Sequence, residues 1–335
     1  MERTIRAAVT GWGTALPERV LTNRELEELV DTDDQWIVER TGIRERRIAT
    51  GDETTASLGI AAGAEAIKSA GLTPDAIDLL VVATTTPEQT MPHTGAFVAD
   101  GLGLRCGSFD LGASCSGFTY ALVTAAALVT TGPLRHALVI GSDTLTRFVD
   151  PTDRGTCILF GDGAAATVLS AAESRDGTGP GLLAWDFGCD GSATGALGIP
   201  AGGSRLPTTA ENLAAGDHYV KMQGQEIFRR AVRAVVDSGV ATLERAGVPS
   251  SEVDWFVPHQ ANVRIIDAAA RRLGIARERT IVNIERFGNT SAASIPLALA
   301  EAADDGRLDD GDLVLLSGFG AGMGWATALV RWGRP

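Results

Sequence analysis

A stretch of twelve residues occurs twice in this chain in equivalent form: Ala70-Gly71-Leu72-Thr73-Pro74-Asp75-Ala76-Ile77-Asp78-Leu79-Leu80-Val81, and Ala246-Gly247-Val248-Pro249-Ser250-Ser251-Glu252-Val253-Asp254-Trp255-Phe256-Val257. In each copy an Ala-Gly pair closes a helix-like run, a short turn follows, and an aspartate precedes an apolar strand. A helix–turn–strand unit used twice predicts two similar βαβ-rich halves, residues 1–170 and 171–335, packed with their sheets stacked between helical layers. Short apolar runs such as Leu79–Ala83 and Ala137–Ile140 follow helix-like segments, which makes them buried strands of an α/β protein. The functional site is then expected where the strand ends of the two halves meet. The glycine-rich segment from Gly188 to Gly203 has little periodicity and is expected to be a connecting loop near the surface.

Composition narrows the function classes. With 44% hydrophobic residues in 335, the chain can bury a large core. A net charge of -13 argues against non-specific nucleic-acid binding, which needs surplus Lys and Arg to neutralise phosphates. The apolar stretch around Ala121–Val129 stays short of the roughly 18 to 20 residues that a membrane span requires. Met1-Glu2-Arg3-Thr4-Ile5 runs into strand-like sequence without the features of a signal peptide, so a cytoplasmic location is expected. Cysteines 106, 115, 157 and 189 form no CxxC pair and no metal spacing with the four histidines, so no metal is expected and any functional cysteine acts alone.

Four elements carry chemistry. Phe109-Asp110-Leu111-Gly112-Ala113-Ser114-Cys115-Ser116-Gly117-Phe118 passes from a strand through a small-residue corner into a helix, which puts Cys115 at a helix N-terminus. The dipole and unpaired N–H groups there favour a thiolate, so a depressed thiol pKa is expected. Cys106 and Cys157 fit the role of buried structural cysteines better. Val257-Pro258-His259-Gln260 ends the second repeated strand and leaves His259 on a loop, where a lone histidine serves either structure or chemistry. Phe287-Gly288-Asn289-Thr290-Ser291 is another glycine corner entering a helix, and Asn289 there is either a turn residue or a neutral hydrogen-bond donor. Gly318-Phe319-Gly320-Ala321-Gly322-Met323-Gly324 joins two strand-like runs, and its glycines let backbone N–H groups crowd a ligand. A strand rather than a helix follows it, which excludes the dinucleotide-binding fingerprint.

In this order and spacing the four elements resemble the type III ketoacyl-(acyl carrier protein) synthases, condensing enzymes of the thiolase fold. The likeness runs from Gly11 to Trp332 and includes Asp31–Val38, Arg40–Arg44, Asp150–Thr156 and Phe160–Ala164. It implies a five-layer αβαβα sandwich and a homodimer. It also implies an acyltransferase that takes an acyl group from coenzyme A and condenses it with malonyl-(acyl carrier protein), releasing carbon dioxide and needing no cofactor.

Carried over residue by residue, the resemblance implies Cys115 as nucleophile, with the backbone N–H groups of Cys115 and Ala321 as oxyanion hole. His259 and Asn289 would stabilise the enolate formed on decarboxylation. Trp36 and Arg154 would bracket the adenine of coenzyme A, with Arg40 near its phosphates. Leu145, Phe160 and Phe228 would line the acyl pocket, and Met91 would close that of the neighbouring subunit, where Phe suits acetyl and the flexible Met suits longer or branched groups. Arg264, Arg271 and Arg272 share a face of a predicted helix, and with Arg229 and Arg230 they form a basic patch suited to the acidic carrier protein. Ser114, Ser116, Ala321 and Gln225 depart from the commonest pattern without removing a catalytic group. Relatives that prime polyketides share the same Cys, His and Asn; a catalytically silent subunit would have lost the nucleophile.

Overall fold

The computed structural model describes residues 4–174 and 178–335. Residues 1–3, the start of the run expected to enter a strand, lie outside the described residues. Thr4 opens β1 (Thr4–Ala15), the border of a five-stranded sheet completed by β2 (Leu79–Ala83), β3 (Gly107–Leu111), β4 (His136–Asp143) and β5 (Gly163–Ser174) in the order β1-β5-β4-β2-β3. Strand β2 runs parallel to β3 and β4, whereas β5 is antiparallel to both β4 and β1. The second sheet holds β6 (Gly181–Cys189), β7 (Trp255–Pro258), β8 (Leu313–Gly320) and β9 (Gly324–Arg331) in the order β7-β8-β9-β6, with β7 parallel to β8.

Side-chain alternation along the strands makes both sheets two-faced and buries both faces. Val81 and Val139 point inward, where they meet Val257, Val314 and Leu316 of the other sheet across α4 (Gly117–Thr131) and α7 (Ser294–Asp304). Their neighbours Leu80, Val82 and Ile140 point outward onto α2 (Thr55–Ser69), beside which lies α3 (Thr94–Leu102). On the far side, Phe256, Leu315 and Leu329 pack against α5 (Gly224–Ala246) and α6 (Val263–Leu273). The result is the expected five layers, α/β/α/β/α. Helix α4 explains its own composition: with the turn before it, Ser114–Thr131 reaches a mean hydropathy of 1.2 because both sheets surround it, and most of it is buried.

The repeated sequence is a repeated structure. Gly71 and Gly247 both take the left-handed conformation, φ 69° and 66°, that ends α2 and α5. A single 3-10 turn follows each, Pro74–Ala76 and Ser250–Glu252, before β2 and β7. Even the aspartates have matching work: Asp78 accepts from the N–H groups of Arg135 and His136 at 2.7 and 3.0 Å, and Asp254 from that of Leu313 at 2.9 Å. Each pins the start of the neighbouring parallel strand.

One expectation is corrected. The Gly188–Gly203 segment is not simply a surface loop: Gly188 and Cys189 finish β6, Gly191–Ala193 forms a turn, and Leu197–Gly198 pairs with Lys221–Met222. Non-local pairing organises it, which local periodicity does not reveal.

Candidate active site

Cys115 lies in a tight turn, Ser114–Ser116, between β3 and α4, and is 7% exposed. Ser114 before it has φ 48°, a left-handed conformation that costs a non-glycine residue on the order of 1 kcal/mol. Ser291 (φ 51°) and Met323 (φ 49°) are the other two described non-glycine residues of this kind, and all three fall on the corners around the nucleophile. Such strain clusters where surrounding structure holds a functional geometry. The backbone of the 318–324 corner comes equally close: a Cβ on Gly320 would sit 2.7 Å from the Cys115 nitrogen. Only glycine permits that approach, which brings the backbone before Ala321 against Cys115.

The expected thiolate is not the resting form. Burial pushes the Cys115 thiol up to about 12; the Ser291 hydroxyl, 3.5 Å from Sγ, opposes this, and Asp143 adds to it. The helix dipole that motivated the expectation begins at Gly117, and in the closed site the loss of hydration outweighs it. Cys106 and Cys157 are also raised, chiefly by burial, Cys157 to about 11.

His259 follows β7, its N–H donating to the Ser317 carbonyl at 2.8 Å. Gln260 steadies the loop by accepting from Asn283 N–H and donating to the Pro258 carbonyl. The imidazole is 2% exposed, meets Phe319 edge-on with centroids 5.3 Å apart, and leaves Nδ1 without a protein partner. Burial alone pulls its pKa down to about 3, so the ring is neutral at neutral pH. Asn289 is gripped by backbone: its N–H donates to Leu159 O at 2.8 Å, and its carbonyl accepts from Gly161 N–H at 3.0 Å. Its Oδ1 accepts from Ser291 N–H at 2.9 Å, so the amide NH2 is the end presented to solvent space.

Cys115, His259 and Asn289 together line a cavity of about 700 Å³ that also holds Trp36, Arg40, Phe160, Phe228, Arg229 and Arg264. Trp36 and Arg40 come from α1 (Asp34–Thr41). The guanidinium carbons of Arg40 and Arg154 lie 4.6 and 4.8 Å from the Trp36 ring centroid, and Arg154 also donates to Asp31 O. On the other side of Cys115 is a second cavity of about 290 Å³, walled by Leu145, Phe160, Leu197, Ile199 and Val220, with Thr85, Ser114, Ser291 and Ala321 around it.

The structure separates the remaining expected residues. Phe228 lines the larger cavity, under Arg264, rather than the smaller one with Leu145 and Phe160. Met91 borders neither cavity of the single chain and is 82% exposed. Among the arginines, Arg229 and Arg264 stand at the larger cavity, while Arg271 and Arg272 are exposed farther along α6. Arg230 pairs with Glu226 and Asp190 at 2.6 and 2.7 Å, and Arg229 pairs with the same Glu226 at 2.8 Å. Two residues at the site escaped sequence reasoning, Ser291 and Asp143. The one signal in sequence was an aspartate at the end of an otherwise apolar buried strand, His136–Asp143.

Comparison with known proteins gives a consistent result. Residues 109–191 match the family model for 3-oxoacyl-[acyl-carrier-protein] synthase III, and residues 243–332 match that for its C-terminal part. A relative from Symbiobacterium thermophilum, beta-ketoacyl-[acyl-carrier-protein] synthase III, is 50% identical over 327 residues, which is 97% of this chain and 98% of the relative. The crystal structure of 3-oxoacyl-[acyl-carrier-protein] synthase III from Aquifex aeolicus superposes with a TM-score of 0.88 at 42% identity, covering 97% of this chain and all of the other (100%). The priming beta-ketosynthase of the R1128 polyketide pathway superposes at 0.89 with 36% identity, covering 98% of this chain and 97% of the other.

Proposed function

Since this chain belongs to the 3-oxoacyl-[acyl-carrier-protein] synthase III family, we propose that Cys115, His259 and Asn289 carry the family's condensation here. The enzyme is an acyltransferase that initiates fatty acid synthesis by joining an acyl-coenzyme A primer to malonyl-(acyl carrier protein). The convergence of those three side chains, from three separate corners, on one cavity is the observation that supports the assignment.

In the first half-reaction Cys115 Sγ attacks the acyl carbonyl, and the oxyanion sits against the backbone N–H groups of Cys115 and Ala321. Collapse expels the coenzyme A sulfur, which takes the proton Cys115 has lost. In the second, malonyl-(acyl carrier protein) loses carbon dioxide. The enolate oxygen accepts hydrogen bonds from His259 and Asn289, and the nucleophilic carbon attacks the acyl-cysteine. Cys115 leaves as thiolate and regains a proton from solvent. Neutral donors suit this step: an imidazole held neutral by burial is too weak an acid to quench the carbanion it stabilises. No cofactor enters this scheme.

Trp36, Arg40 and Arg154 are the proposed coenzyme A site. Their present stacking leaves no room for an adenine between Trp36 and Arg154, so binding requires Arg154 to swing away from Asp31. Leu145 and Phe160 line the proposed acyl pocket, with Phe228 at its approach; Met91, exposed in the single chain, serves the pocket of a second copy in a homodimer. The edge strand β3 and the stacked, exposed Trp185 and Phe187 give such a dimer surface to cover. Carrier-protein docking falls to Arg229, Arg230, Arg264, Arg271 and Arg272, with Glu226 and Asp190 beside the first two. We place the halves at 1–170 and 171–335, although β5 runs on to Ser174 and β6 starts at Gly181, which sets the junction between the two sheets a few residues later, and we place the enzyme in the cytoplasm.

A priming role in a polyketide pathway is the second reading, favoured by the likeness to the R1128 ketosynthase. Formation of 3-oxoacyl-(acyl carrier protein) from malonyl-(acyl carrier protein), dependent on acyl-coenzyme A and lost in Cys115→Ala, tests the shared chemistry. Turnover without the carrier protein would contradict it.

A further inference from the structure

Asp143 ends β4, wholly buried, at 0% exposure. Oδ1 accepts from Thr84 Oγ1 at 3.0 Å, Thr85 N–H at 2.7 Å, and Thr86 N–H and Oγ1 at 3.0 and 2.9 Å. Oδ2 accepts from Ala292 N–H at 3.0 Å. One carboxylate therefore fastens two corners that share no strand. The first is the turn after β2, whose Thr85 borders the smaller cavity; the second is the corner on which Asn289 and Ser291 stand.

We propose that Asp143 is a positioning residue of the condensation: it locks the Ser291–Asn289 corner to the floor of the acyl cavity and so holds the Asn289 amide where the enolate oxygen forms. The inference rests on the reading of Cys115 as nucleophile.

The contacts on that corner agree with this role. Ser291 Oγ lies 3.5 Å from Cys115 Sγ, and Ser291 N–H donates to Asn289 Oδ1 at 2.9 Å, so the corner pinned by Asp143 carries both a contact to the nucleophile and the Asn289 amide. Asp162, also buried, is held separately by Thr146 and by Ala49 N–H.

The test is Asp143→Asn in the full-length enzyme, read three ways. The acyl adduct on Cys115 of the unaltered enzyme is measured first; its absence would sink the reading of Cys115, whereas a normal adduct leaves the role of Asp143 to the next two measurements. Alkylation of Cys115 by iodoacetamide, which does not use the Asn289 donor, should keep its normal rate in the variant. Transfer from acylated Cys115 to malonyl-(acyl carrier protein) should slow about tenfold, because an asparagine cannot accept from both corners at once. A purely structural residue would slow both rates together; that outcome, or an unchanged transfer rate, overturns the proposal. Should the variant not fold, Thr84→Val, which removes one donor to Asp143 Oδ1, is read in the same way: transfer slowed with alkylation normal supports the proposal, and transfer unchanged overturns it.

Discussion

At the scale of single residues, Cys115, His259 and Asn289 meet in one cavity with Arg40, Arg229 and Arg264. In the proposed mechanism His259 and Asn289 face charge that develops on decarboxylation rather than on thioester exchange at Cys115. Replacing either by alanine should therefore cost condensation about 3 to 4 kcal/mol of barrier, roughly 10²- to 10³-fold, while acylation of Cys115 changes far less. Separate assays of adduct formation and carbon dioxide release check this, and equal losses in both would contradict it. In sequence, Cys115, His259 and Asn289 stand on corners marked by Pro, Gly or small residues, but those corners left His259 and Asn289 open between structure and chemistry, and the family resemblance supplied their proposed roles. The direction of the thiol shift was not legible, since local sequence shows a helix N-terminus, whereas burial comes from Ser291 and Gly320, distant in the chain. Asp143 and Ser291 were missed for the same reason.

At the scale of elements, close backbone contact between corners sets the geometry. Gly161 lies in the Phe160–Ala164 motif, and a Cβ there would come within 2.3 Å of Phe287 O, where the Asn289 corner begins. Gly161→Ala should accordingly destabilise the fold by about 1 to 3 kcal/mol, read as a lower midpoint in urea, and should depress condensation with it. An unchanged midpoint would show that the corners are not packed this tightly. Helix α1 makes a different prediction: Trp36→Ala with Arg154→Ala should raise the KM for acyl-coenzyme A at least tenfold and leave the KM for malonyl-(acyl carrier protein) near its normal value. On α6, Arg264→Glu should weaken carrier-protein binding and flatten its salt dependence. Helices and turns of the repeated unit were legible because glycine caps and aspartates recur in both copies. The Leu197–Gly198 pairing was not, because its partner lies more than twenty residues away, and neither was the ion pair of Arg230 with Asp190, a turn residue brought near only by the fold.

At the scale of the whole molecule, buried titratable groups shape stability against pH. His259 is lowered from 6.5 to about 3, so its contribution is complete above pH 6.5 and is lost as pH falls toward 3. Asp162 is raised from 3.8 to about 6 by burial, so its contribution is complete below pH 3.8 and is lost as pH rises through 6. Between these limits the two oppose each other. Asp162→Asn should leave His259 unopposed and steepen the rise of unfolding free energy with pH between 4 and 6 by up to ~1.4 kcal/mol per unit; a slope unchanged from the unaltered protein would count against a buried Asp162 carboxyl raised to about 6. Cys115 adds an alkaline limb, its contribution complete below its ordinary value of 9 and lost as pH rises toward 12. The layered architecture itself was legible from one repeated segment and the alternation of apolar strands, because each half reuses the same unit.

The central claim is that Cys115 carries the acyl group between two half-reactions. Intact mass of the enzyme after exposure to short, branched and longer acyl-coenzyme A thioesters, with peptide mapping and a chase with malonyl-(acyl carrier protein), tests it directly. The account predicts one acyl adduct per chain, on the peptide containing Cys115, discharged by the chase as 3-oxoacyl-(acyl carrier protein). No adduct from any thioester, or an adduct that the chase leaves in place, would contradict it.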